Sequence, residues 1–168
     1  MFSLGLYDAH MDEEINRIAT AFAAMAKAIE ELKKLGVFRS RKGVPDFSEW
    51  LVAQIYRGRL ATSKTQKGWD VQTDQEKIQV KVHFKPDDPA NRWSYVSVRH
   101  PFDSLVLIVL SDSFKVLEFY KAPKDALILK PDKQGTRLNW SDLKRWRIPN
   151  KQITDYERLS ALFDDNEA

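Results

Sequence analysis

The chain of 168 residues has no cysteine, so it forms neither disulfides nor thiolate zinc sites, and its three histidines are scattered rather than clustered. Any metal it binds is therefore expected to be a hard, oxygen-bound cation. No apolar run approaches the ~18 residues that cross a bilayer, and the opening MFSLGLYDAH lacks the basic-then-apolar layout of a secretion signal. These absences argue against a membrane partner and lead to the expectation of a cytoplasmic protein. Internal repeats, low-complexity tracts and a clear linker are missing as well. With 43% apolar residues, the length suits one hydrophobic core, read as a single domain over 1–168.

The net charge is only +3, too small to argue for a nucleic-acid partner by itself. Its distribution says more. Between Arg57 and Arg99 nine basic residues face five acidic ones, whereas residues 1–50 hold seven basic against eight acidic. The basic excess surrounds the segment richest in candidate chemistry.

In Asp12 to Leu35 the apolar residues Ile15, Ile18, Phe22, Met25, Ile29 and Leu32 recur at steps of three and four, which predicts a long amphipathic helix stopped at Gly36. Its stripe suits either docking on its own domain or a homodimer through residues 15–32. Asp46 then reads as the cap of a second helix, FSEWLVAQIYRG, with Glu49 three residues later as in a capping box. Trp50, Leu51, Ile55 and Tyr56 are its expected core side, and Gly58 its end.

Extended runs follow at Arg59–Ser63, Trp69–Thr73 and Lys77–Phe84, the last two forming a hairpin around Asp74, Gln75 and Glu76. In KIQVKVHF, Ile78, Val80 and Val82 share one face; Gln79, Lys81 and His83 share the other. RWSYVSVR reads as a half-exposed strand, SLVLIVLS as a central strand covered on both sides, and KVLEFYKAP as a further strand. A short helix is expected at Lys124–Leu129, another capped by Asn139 or Ser141 and carrying Trp140, Leu143 and Trp146, and a last one near Ile153–Phe163.

If the hairpin turn is tight, Asp70 and the pair Gln79 and Lys81 meet at one end of the paired strands. Phosphodiester hydrolysis asks for such a group: a carboxylate holds Mg²⁺, the metal stabilises charge on the scissile phosphate, and a lysine orients the attacking water. Each residue also has a purely structural reading. Gln79 and Lys81 suit a solvated strand face, Asp70 an ion pair, and Glu49 a capping box.

A helix bearing Glu49, then GWD at 68–70, a hairpin, and QVK at 79–81 resembles the PD-(D/E)xK nucleases, in the QxK variant similar to that of Mrr-type restriction endonucleases. The resemblance covers about residues 45–120. It implies an α/β (α+β) fold with a restriction-endonuclease-like core, a mixed central sheet of about five strands flanked by helices, and the long N-terminal helix as an appendage. The chain then divides into a helical appendage at 12–36, a nuclease-like core at 45–120 and a C-terminal helical cover at 121–168.

The implied activity is a metal-dependent DNA endonuclease of restriction or repair type. Asp70, Gln79, Lys81 and Glu49 are its catalytic candidates, with Asp70, Gln79 and Glu49 as ligands of Mg²⁺, or of Mn²⁺ in its place. Gln79 replaces the usual acidic residue and removes one negative charge, which weakens cation binding unless Glu49 supplies a second carboxylate. Ser63, Lys64 and Lys67 in the loop entering the Asp70 strand, with His83, Lys85 and Arg92, are candidates for contacts to nucleic acid. Two other classes stay open: a nuclease-fold DNA-binding module without cleavage, and an interaction protein using the N-terminal helix.

Overall fold

A computed structural model describes residues 4–40, 43–63, 68–84, 93–97, 100–127 and 136–164. Two units result, Met1–Asp46 and Phe47–Ala168.

The first unit is dominated by α1, Leu4–Lys34, which begins eight residues earlier than the apolar stripe alone suggests. The stop is at Gly36 as expected. Gly36 takes φ +73°, its N–H donates to Lys33 O and that of Val37 to Leu32 O, a Schellman arrangement that satisfies two terminal carbonyls. A side chain at Gly36 would strain this turn.

The second helix, α2, spans Val44–Ile55. Because it begins at Val44, Asp46 lies inside its first turn rather than at the expected cap position. Asp46 is buried, and its Oδ2 accepts from Arg39 N, Ser40 N and Ser40 Oγ at 2.6–2.9 Å, fixing the approach to the helix instead.

The second unit contains eight strands among the described residues: β1 Arg59–Leu60, β2 Val71–Gln72, β3 Lys77–Phe84, β4 Trp93–Val96, β5 Ser104–Leu110, β6 Val116–Pro123, β7 Thr136–Asn139 and β8 Arg147–Ile148. Six form a mixed sheet in the order β1-β2-β3-β5-β6-β8, close to the expected count of about five, and β4 pairs with β7 in a second sheet, so the fold is mixed α+β. β3 and β5 run parallel; the other pairs are antiparallel.

β5 is buried at every position, as its unbroken apolar run requires of a parallel strand covered on both sides. The described part of the connection from β3 to β5 contains β4, an extended element rather than a helix.

The register assigns the two faces of the main sheet. Ile78, Val80 and Val82 share one face with Ser104, Val106 and Ile108, and with Lys121 and Phe119. Buried Leu51, Val52 and Ile55 give α2 its apolar side, and Tyr56 just beyond its end meets Phe119 on this face, ring centroids 6.4 Å apart.

Gln79, Lys81 and His83 share the other face with Leu105, Leu107 and Val109, which join Val96, Leu138, Trp140 and Leu143 in one apolar cluster. The expected C-terminal helical cover is instead built from β7, β8, 3₁₀ turns at Lys124–Ala126, Trp140–Trp146, Asn150–Gln152 and Ser160–Leu162, and the four-residue α3, Tyr156–Leu159. Trp140, Leu143 and Trp146 recur at a strict step of three, the period of a 3₁₀ helix. Asp155 at φ +60° interrupts the last helix, so α3 starts only after it.

Candidate functional site

Two glycines shape the approach to Asp70. At Gly58 an added Cβ would lie 2.7 Å from Val71 Cγ1 and 2.9 Å from Gln72 O, so the backbone there must pass bare against β2. Gly68 takes φ +108°, and a Cβ on it would sit 2.6 Å from His100 Cβ and 2.9 Å from Pro101 O. Only glycine meets both conditions, which explains the residue that stands before Trp69 and Asp70.

Beyond the pair Val71 and Ile78 the ladder loses its regular register: Asp70 N donates to Ile78 O at 2.9 Å, and Ala61 N donates to Asp70 O at 2.8 Å. The Asp70 side chain then takes over where β2 stops. Its Oδ2 accepts from Val80 N at 2.7 Å, the place a neighbouring strand's carbonyl would fill, which fixes the carboxylate beside the Gln79 backbone. A charged acceptor for a backbone N–H is a strong hydrogen bond and a sufficient structural reason for an aspartate here.

Gln79 departs from the solvated strand residue that its side chain suggests. It is 8% exposed, and its Oε1 is buried with no hydrogen-bond partner. An amide oxygen withdrawn from water without a partner costs about 1–3 kcal/mol, so it is a position where a donor or cation would be gained at little further cost. Lys81, two residues on and on the same face, is half-buried.

His83 continues this face but turns into the protein. Its Nε2 is 2.8 Å from Ser94 Oγ, and its ring meets that of Trp140 edge-on at 5.2 Å. Burial, and after it the Lys81 charge, push the imidazole below its ordinary pKa. The sequence offers no local signal for these contacts, since Ser94 and Trp140 lie in β4 and just after β7.

Glu49 is half-buried on α2, a helix whose end is anchored on the face opposite Gln79 and Lys81. The structure thus sets the Asp70 carboxylate on the backbone between Gln79 and Lys81, while Tyr56, just beyond the Glu49 helix, meets the opposite face of the sheet. Ser63 is exposed. Lys64, Lys67, Lys85 and Arg92 lie outside the described residues. Among the described residues no three Asp, Glu or His side chains converge as a metal-ligand group. On this edge a cation would have to draw on the Asp70 carboxylate, whose Oδ2 is already engaged by Val80 N, and on the unpartnered Oε1 of Gln79.

A second polar cluster, which the sequence reading missed, sits on the opposite face. Glu76 Oε1 is 2.5 Å from Lys121 Nζ, its Oε2 accepts from Ser104 Oγ at 2.7 Å, and the Lys121 ammonium lies 4.1 Å from the centroid of the Tyr56 ring. Burial, and then the Glu76 charge, raise the Tyr56 phenol above its usual range. This network joins the turn before β3 with β5, β6 and the residue just beyond the end of α2.

No known protein family and no curated protein matches the chain. No helix of the described residues is long and apolar enough to cross a membrane.

Proposed function

We propose that the chain is a metal-dependent nuclease with a restriction-endonuclease-like core, hydrolysing phosphodiester bonds in DNA. The observation that carries this reading is the buried, unpartnered Oε1 of Gln79 two residues before Lys81, on the strand whose edge holds the Asp70 carboxylate. The order α2, hairpin β2–β3, then parallel β5 is consistent with that core.

In this reading Asp70 and Gln79 hold a hard divalent cation, Mg²⁺ or Mn²⁺, and Lys81 holds the scissile phosphate or the attacking water in place. Bound there, the cation would stabilise negative charge on the phosphate. Glu49 has the lesser part, since its helix is anchored on the other face. The cytoplasm is the proposed location.

The test is incubation of supercoiled, linear and single-stranded DNA with the protein in Mg²⁺ or Mn²⁺, beside Asp70→Asn, Gln79→Glu and Lys81→Ala. Asn at position 70 still offers an oxygen to Val80 N–H, so a loss in that variant reports charge rather than fold. The expected result is cleavage that falls at least ~100-fold in Lys81→Ala and Asp70→Asn, and that needs less metal in Gln79→Glu. Cleavage indifferent to all three variants, or none under any condition, overturns the proposal.

One observation favours a second reading, a DNA-binding module without cleavage: position 79 is neutral and Asp70 Oδ2 is already engaged by Val80 N. Salt-sensitive binding of DNA without cutting by wild type or Gln79→Glu would select it.

A further inference from the structure

The apolar stripe of α1 reads the same from either end. Counted about the midpoint between Ala23 and Ala24, Ile15 is level with Leu32, Ile18 with Ile29, and Phe22 with Met25. Ile15, Ile18, Phe22 and Met25 are 50–62% exposed. Flanking the stripe are alanines, Ala19, Ala21, Ala26 and Ala28, which leave room for a second helix to approach closely.

The charges reverse about the same midpoint. Glu13 is level with Lys34, Glu14 with Lys33, and Arg17 with Glu30, opposite in sign each time. Lys34 also lies 2.9 Å from Glu31 and 3.5 Å from Glu30 of its own helix, exposed contacts of little energetic weight that leave the overall polarity of the helix unchanged.

We propose that α1 pairs with α1 of a second copy of this chain, antiparallel, about a two-fold axis passing between Ala23 and Ala24. A self-complementary stripe is what an isologous interface requires, because each residue must meet its counterpart's partner. The charge pattern decides the direction. Parallel helices would set the Glu13–Glu14 end level with its own copy and the Lys33–Lys34 end level with its own, while antiparallel helices set each acidic end level with a basic one. The pair would bury roughly 1,200–1,400 Å² in total, at the lower edge of stable interfaces, so association in the micromolar range is expected.

The absence of cysteine in the chain makes the test clean. Sedimentation of the full chain between about 1 and 100 μM should show a monomer–dimer equilibrium. Phe22→Glu, at an exposed position, should abolish it. Glu13→Lys with Glu14→Lys, and Lys33→Glu with Lys34→Glu, should each weaken it about tenfold, and an equimolar mixture of the two should restore it.

Nitroxide labels on Glu13→Cys or on Lys34→Cys should each lie about 31 Å from their copy along the axis, the rise over the residues that separate the two positions, whereas a label on Ala23→Cys should lie close to its own. Circular dichroism and melting of each variant establish that the fold is kept. A monomer at every concentration, or short distances at both ends of the helix, overturns the proposal.

Discussion

The two faces of β3 carry polar clusters of opposite character. On the Ile78 face, Glu76, Lys121 and Ser104 satisfy one another within 2.5–2.7 Å, and Tyr56 covers the ammonium. On the Gln79 face, the amide oxygen is more fully removed from solvent than the Glu76–Lys121 pair and meets no partner. The first arrangement welds helix, turn and strands together; the second holds a cost in reserve. That orphaned acceptor is where the proposed cation would be gained at least cost.

The comparison breaks most sharply at Gly68. Gly68→Ala should destabilise the protein by about 2–4 kcal/mol in urea unfolding, because the added methyl meets Pro101 O and His100 Cβ in a backbone conformation alanine resists. It should disturb the Asp70 side and leave the Glu76 cluster's contacts in place.

The converse change, Glu76→Ala, strips both Lys121 and Ser104 of their acceptor and should cost about 2 kcal/mol by the same measurement, with no effect on cation binding. Gln79→Leu sharpens the contrast, since removing an unsatisfied acceptor for an apolar group of similar size should be neutral or stabilise by up to about 1 kcal/mol.

The smallest effect concerns His83. Its folded pKa lies below its unfolded value, so the unfolded chain takes up the proton first; the stability it contributes is full above the unfolded pKa and is lost as pH falls through that value towards the folded one. Melting temperature should fall over that acid range, by no more than one proton's worth of slope, and His83→Gln should flatten it.

Much of this architecture was legible in periodicity. The alternation of KIQVKVHF gave β3 its bounds and its two faces, and the unbroken run from Ser104 to Leu110 marked the central strand. The stripe of α1 and its glycine stop were equally plain. What failed was local reading of the C-terminal third. A step of three at Trp140, Leu143 and Trp146 fits both kinds of helix over so short a span, and two-residue strands such as β8 carry no periodic signal.

Of the candidate site, the grouping of Asp70 with Gln79 and Lys81 could be argued from the hairpin, but the burial of Gln79 could not. Sequence shows which face a polar residue shares, and only the packing of β4, β7 and the turn at Trp140 shows that the face is covered. The Glu76–Lys121 pair was invisible for the same reason, its members lying 45 residues apart.

In the proposed function the Gln79 oxygen takes a cation, and the most direct measurement is thermal melting of wild type and Gln79→Leu during a titration with Mg²⁺ or Mn²⁺. Wild type should gain roughly 2.7 kcal/mol at a hundredfold excess over the dissociation constant, a rise of several degrees, while Gln79→Leu starts at or above the wild-type temperature and does not move. Equal shifts in both proteins, or none in either, would contradict it.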